Sequence, residues 1–238
     1  MGHLRDALQT MWERCQDRLT KQLMFLKQEE ELPIVHLDRL FDNPSDLTEG
    51  WSFLKDERNE QVLGKVKRPD GKSVESQKWL WSRVMREGAI TKHFLRNTDM
   101  GEVMDRSELQ WNTTKVEQYF REVTLFKEEL IVLCHMAGGA PARGTEVVTI
   151  RIENGESARA QRGVFIDNGM VELVTSYHKG YSKSGDAKII HRYLPEEVGK
   201  LLVYFLWLVE PFVQMLRWAI RQEFEYSKSL WEPEPEKR

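Results

Sequence analysis

Cysteine is scarce: two in 238 residues, Cys15 and Cys134. That excludes a disulfide framework and any zinc site built on paired cysteines. Both fall in segments that read as helix, so buried thiols in a reducing compartment are expected. Charge of one sign is also lacking. The formal net charge is -3, which excludes a polycation that coats nucleic acid without specificity. The opening residues, Met1-Gly2-His3-Leu4, begin no apolar run, and no secretory signal is expected. The longest apolar run, 201–209, is too short to cross a bilayer, and the stretch 201–220 around it carries Glu210, Pro211, Gln214 and Arg217. It is predicted to be a buried core helix, with no membrane partner. The six histidines show no metal spacing with either cysteine, and no Gly-x-Ser-x-Gly or Gly-x-Gly-x-x-Gly is present. Gly71-Lys72-Ser73 ends like a phosphate-binding loop, but Val66 stands where its first glycine is needed. No metal or cofactor is expected.

What is present is helical periodicity. Leu4, Leu8, Met11, Trp12, Cys15, Leu19, Leu23 and Leu26 recur on one face, predicting a helix over 3–31 that Pro33 ends. A second helix is predicted after Asn43-Pro44-Ser45-Asp46, through Trp51, Phe53 and Leu54 to residue 60. Residues 65–73 read as a basic loop with an Asp-Gly turn, and 74–87 as a helix that Gly88 ends. The polar stretch 97–110 is the expected domain boundary. Beyond it a long helix starts at 112, with Thr114 and Glu117 as a capping box. It continues to Met136 and breaks at Gly138-Gly139, and its His135 is expected to sit satisfied in the core.

The period then changes from helix to strand. Residues 163–174 form two β-type runs around Asn168-Gly169, a hairpin signal, and 188–194 alternate in the same way. Pro195 suits a first helical position, opening the helix that carries 201–220 to about residue 226.

Between the long helix and the sheet lies Arg143-Gly144-Thr145-Glu146, and the turn between the second and third strands holds His178, Lys179 and Lys183. An arginine fork and a lysine point charge suit a phosphate. Glu146, three residues after Arg143, is placed to orient the guanidinium, although a plain surface ion pair fits the same spacing. Over 157–192 the basic residues are Arg159, Arg162, Lys179, Lys183, Lys188 and Arg192, against Asp167, Glu172 and Asp186. Six less three leaves a local excess of three positive charges, the kind of surface a phosphate backbone needs. His178 and His191 flank this turn, either as exposed strand residues or as phosphate contacts.

These residues carry a resemblance. The stretch 133–146, with Gly138-Gly139 before Arg143-Gly144-Thr145-Glu146, resembles the tyrosine recombinase and integrase motif that holds the first catalytic arginine. Lys179 falls where that family has its catalytic lysine, and Tyr193-Leu194-Pro195 looks like its strand end leading into the next helix. A closer likeness, over 112–231, is to the region found upstream of, or detached from, fungal RecQ-type helicases, telomere-linked ones included. It runs through Gly139 to Glu146, Tyr177-His178-Lys179-Gly180, Arg192-Tyr193-Leu194-Pro195, Leu201 to Phe205 and Pro211-Phe212.

The resemblance implies an α+β protein, mostly α. A helical bundle over 1–110 precedes a partial recombinase-like catalytic domain with a three-stranded antiparallel sheet over 111–230, and a polar tail over 231–238. It implies vestigial catalytic roles for Arg143, Glu146 and Lys179, and DNA contacts from Arg143, His178, Lys179, Lys183, Lys188 and Arg192. The family's later His-x-x-Arg and nucleophilic tyrosine would lie beyond Trp231. The expectation is therefore a nuclear DNA-binding domain that is catalytically incomplete. A module that docks on a helicase or self-associates, or a truncated gene copy, is the alternative.

Overall fold

The computed structural model describes residues 2–27, 32–67, 71–96, 109–139, 142–157, 160–177, 188–223 and 228–231. The chain is mixed α+β, dominated by helix, with a three-stranded antiparallel sheet.

The longest helix, α5 (Thr113–Ala137), starts where the Asn112 side chain accepts from Lys115 N–H at 3.3 Å. The cap is thus Asn112 and not the predicted Thr114. Its stripe of Val116, Tyr119, Phe120, Val123, Phe126, Leu130 and Leu133 is buried, against helices on both sides. On one side lies α1 (Gly2–Asp17), which runs on as wider turns over Arg18–Leu23. Arg18 reaches across to both Glu122 and Glu129. Helix α1 is shorter than predicted and its first turn is uncovered, with Leu4 exposed. Its end is set before Pro33. Phe25 turns left-handed, Arg83 donates to the carbonyls of Met24 and Phe25, and Tyr119 Oη donates to that of Leu23 at 3.1 Å. Carbonyls captured by side chains cannot propagate a helix.

On the other side lies the apolar helix, continuous over Glu196–Arg221, with 78% of its most apolar stretch buried inside the protein. Pro195 precedes its first residue and is not part of it. Pro211 lacks an N–H and crowds the preceding turn, a cost of about 3 kcal/mol in an ordinary helix interior. The turns just before it, Phe205–Val209, are widened to π geometry and absorb that clash. Leu202, Phe205, Leu208, Val209, Phe212 and Val213 are each at most 1% exposed. Each is worth roughly 1.5–3 kcal/mol, so burial outweighs the proline. The helix stops at Gln222, which is left-handed. Arg221 pairs with Glu117 at 2.8 Å over the Phe120 ring.

Between residues 42 and 95 the prediction is corrected in several places. The helix expected over 46–60 is two 3-10 turns, Phe53–Lys55 and Glu57–Asn59, and a single α-turn, α2 (Glu60–Leu63). Short polar side chains have taken the backbone donors. Asn43 accepts from Ser45 N–H, Asp46 from Thr48 N–H and Asp56 from Arg58 N–H, which is how such residues divert a chain from helix. The basic loop is a hairpin, β1 (Lys65–Lys67) and β2 (Ser73–Glu75), so the next helix, α3 (Trp79–Val84), starts later than predicted. Gly88, expected as a stop, opens α4 (Gly88–Phe94). Residues 94–96 then pair with 110–112, which fixes both ends of the polar stretch between them.

The sheet follows the predicted pattern. Strands β3 (Val164–Asp167), β4 (Met170–Tyr177) and β5 (Lys188–Tyr193) pair in that order, all antiparallel. Asn168 and Gly169 both have positive φ, 50° and 75°, as a two-residue hairpin of this twist requires. Val164, Ile166, Val171 and Leu173 face the core. The polar tail starts later than expected, because Leu230 and Trp231 are buried. Residues 228–231 return to pair with 150–152, through Ile152 N–H to the Lys228 carbonyl and Leu230 N–H to that of Ile150. Residues 232–238 lie outside the described residues.

Two interactions join the parts. Phe94, Tyr119 and Phe212 meet edge to face at 5.2–5.6 Å, with Phe25 beside Phe94 and Tyr119. Arg162, next to the sheet, pairs with Asp42 at 2.8 Å, both side chains at most 1% exposed. Arg162 also donates to the carbonyls of Asn43 and Asp46 and lies over the Phe165 ring. Burial pushes the Asp42 carboxyl up and the Arg162 guanidinium down, against their mutual attraction.

Removing one member of a buried pair strands the other charge, at about 3–5 kcal/mol. Asp42→Ala is expected to cost that much in urea unfolding, and Asp42→Ala with Arg162→Leu less than the two single changes added. Additive losses would show that the pair is not coupled. A second expectation concerns pH. His93 packs on Phe25 and Phe94, and burial, then Lys115, lowers its affinity for a proton. The unfolded chain therefore binds the proton better. Stability should hold above the ordinary histidine range and fall as pH drops through it. Thermal melts of His93→Gln between pH 8 and 5 should show a flatter dependence than the parent.

Candidate functional site

The break after α5 places the first candidate residues. Gly138 lies close to the end of β5, where a Cβ would meet Leu194 at 3.3 Å and Arg192 Cβ at 3.6 Å. Gly139 turns left-handed with φ 66°. The chain re-enters as α6 (Gly144–Val147), with Arg143 extended at its N-terminal end and exposed. The Glu146 carboxylate accepts from the backbone N–H of Arg143 at 3.4 Å. This capping role was not foreseen, since the spacing suggested a bond to the guanidinium.

Strand β5 supplies the second part. Arg192 is opposite Leu173 on the inner, core-facing side of the sheet. It is 6% exposed, and its Nη1 donates to Thr175 Oγ1 at 2.7 Å. Burial lowers its proton affinity and the Glu146 charge opposes that shift. An arginine stays protonated through shifts of this kind. Glu146 thus acts on two arginines, through the backbone of one and the field at the other. The surface position expected of Arg192 is corrected, and so is that of Arg162, which is spent on Asp42. The count of positive charges over 157–192 therefore overstates the surface charge of this region.

His178, Lys179 and Lys183 lie outside the described residues, as does Arg159. Lys188 opens β5 opposite Tyr177, the last residue of β4, so the segment carrying those residues joins these two strand ends. On the outer face Glu172, 6% exposed, meets His191 Nδ1 at 2.5 Å. His191 is thus engaged within the sheet. His135 is only half-buried on α5, less enclosed than expected.

Sequence reasoning missed Thr175 and the Glu172–His191 pair. Strand alternation contained the signal for Thr175, because 171, 173 and 175 share a face and 192 is opposite 173.

Tyrosine chemistry bears on the recombinase comparison. Tyr119 Oη is spent on the Leu23 carbonyl, and Tyr204 is buried, which raises its phenol. Tyr193 donates to Asp167 at 2.9 Å, and this bond holds its phenol up at about 12. Tyr193 and Tyr204 are thus held as phenols by their surroundings, the opposite of an activated nucleophile. The cysteines are buried as expected. Burial pushes Cys15 up to about 12 and Cys134 higher still, so neither is a ready thiolate. No family model matches the chain, and no solved structure matches it.

Asp167→Asn should bring the Tyr193 phenol back toward the ordinary range. Spectrophotometric titration of tyrosinate should show one phenol moving to lower pH against the parent. Stability linked to the Tyr193 bond should persist below pH 10 and be lost as pH rises toward 12. An unchanged titration would mean that Asp167 does not hold that proton.

Proposed function

We propose that this chain binds the phosphate backbone of DNA in the nucleus, as a recombinase-like domain that does not itself cut. The observation that supports this reading is the arrangement around Glu146. One carboxylate accepts from the Arg143 backbone N–H at the start of α6 and partly opposes the effect of burial on Arg192 of β5. The strands on which Thr175 and Arg192 sit lead directly into the segment that carries His178, Lys179 and Lys183. In this reading Arg143, Lys179, Lys183 and Lys188 contact phosphate. Arg192, buried on β5, braces the sheet and does not contact DNA itself, and His178 is a further candidate contact. Glu146 positions Arg143 rather than touching DNA. The engaged state of Tyr119, Tyr193 and Tyr204 agrees with binding without a covalent step.

A second reading, docking on a helicase or self-association, draws on exposed apolar side chains. Trp218 is 54% exposed near the end of the apolar helix, and Leu125, Val132 and Met136 are exposed along α5. These patches are small, and single exposed apolar residues are ordinary.

DNA titrations at several salt concentrations test the first reading. Affinity should fall steeply with salt, and Arg143→Ala or Lys179→Ala should each reduce the slope by about 1. Binding that ignores salt, or a double variant that binds like the parent, would overturn it. A concentration-dependent dimer without DNA binding would favour the second reading.

A further inference from the structure

The two edges of the sheet differ. At the β3 edge Asp42 accepts from Ile166 N–H at 3.2 Å, and Asp38 lies so close to Gly169 that a Cβ there would meet its Cα at 3.0 Å. Residues 38–42 thus cover that edge, one of the ways in which sheets avoid recruiting further strands.

Strand β5 forms the other edge and pairs with β4 alone. Leu194 N–H donates to the carbonyl of Val171, opposite it, at 2.9 Å. Antiparallel pairs alternate, so residues 190 and 192 also bond toward β4, and Ile189, His191 and Tyr193 turn their N–H and C=O groups outward. Among the described residues, no hydrogen bond reaches those outward groups. The side chains leave the edge clear. His191 leans to Glu172 on β4, Tyr193 to Asp167 on β3, and Arg192 is turned to the core and bonded to Thr175.

The exposed side chains select the occupant. Ile189 is 60% and Tyr193 41% exposed, and they stand two residues either side of His191. A second copy of β5, antiparallel and centred on His191, sets Ile189 of each chain opposite Tyr193 of the other, an aliphatic side chain beside an aromatic one. In such a two-fold contact every pairing occurs twice. It satisfies the outward groups of all three residues, whereas pairing centred on residue 190 or 192 matches only two of them. The two imidazoles meet at the axis, each with its own Glu172 beside it to offset a positive charge.

We propose that the chain self-associates through β5, joining two three-stranded sheets into one of six strands. The proposal rests on the self-association considered above and gives it a surface that excludes Trp218, Leu125, Val132 and Met136. It stands whether or not the chain binds DNA.

One strand pair is a small contact, so the dimer should be weak, with a Kd on the order of 0.1 mM. Sedimentation equilibrium of the full chain should show it. Ile189→Pro removes one outward N–H per chain without touching the bonds to β4. It should raise Kd about tenfold, as expected for two lost hydrogen bonds and a lost side-chain contact. Disulfide trapping reads the register, and the native cysteines are buried. Under mild oxidation a mixture of Ile189→Cys and Tyr193→Cys chains should cross-link. Neither variant alone should, because each position stands four residues, about 14 Å, from its own symmetry mate. Both positions are exposed, and circular dichroism checks that each variant folds. If Ile189→Pro does not fold, the cross-linking pair still decides. A chain that stays monomeric at millimolar concentration would overturn both this proposal and the self-association reading. A dimer unmoved by Ile189→Pro, or one that cross-links as well through a single variant as through the mixture, would overturn the β5 pairing and leave self-association to another surface.

Discussion

The helix over Glu196–Arg221 imposes the main constraint on the fold. Its apolar side chains cover more than one face, so it must be surrounded. Helix α5 covers one side through the Phe126–Phe205 contact, with ring centroids 5.1 Å apart. Helix α4 covers another through Phe94 on Phe212, and the sheet a third, where Gly199 approaches Val171 so closely that a Cβ would lie 3.0 Å away. Residues from both sides of position 110 therefore bury the same helix. The polar stretch before 110 lies between them, with its ends tied together by Leu95 and Trp111.

Around that apolar centre, arginines serve as internal braces. Arg83 joins Glu87 to the carbonyls that end α1, Arg162 joins Asp42 to the sheet, and Arg18 joins α1 to α5. A buried ion pair contributes little net stability, because desolvation consumes most of the attraction. Its effect is on geometry, since a misplaced segment leaves a buried charge uncompensated. The opposed shifts at Asp42 and Arg162 express that balance, with desolvation the leading cause at each. The segment 42–51 has little regular structure. It is fixed by Arg162 together with Asn154, whose side-chain amide donates to the carbonyls of Asp46 and Thr48.

The legible parts of the fold were those set by local chemistry. Asn168-Gly169 fixed a hairpin and its register because few residue pairs adopt two positive φ values in succession. Apolar periodicity revealed α5 and the buried helix. Boundaries were poorly legible where side chains distant in sequence take backbone groups, as Arg83 does at Met24 and Phe25. The 46–60 region misled for a related reason. Its Asn, Asp and Ser residues serve equally as helix caps and as repeated local turns, and composition does not separate the two. The return of 228–231 onto 150–152 is a pairing across nearly eighty residues of sequence, which no local pattern encodes.

The candidate site shows the same limit in electrostatic form. A charge count along the chain treats every arginine between 157 and 192 as surface, yet strand alternation turns residue 192 inward and the Asp42 pairing removes residue 162. Arg143 and Glu146 were found from spacing, but the bond from the Arg143 backbone N–H to the Glu146 carboxylate was not, because spacing alone does not show that the first N–H groups of a four-residue helix need an acceptor. Once Glu146 is committed to that backbone, its charge still reaches Arg192. The excess of positive charge counted over 157–192 is therefore a weaker guide to the surface of this region than the burial and pairing of each arginine.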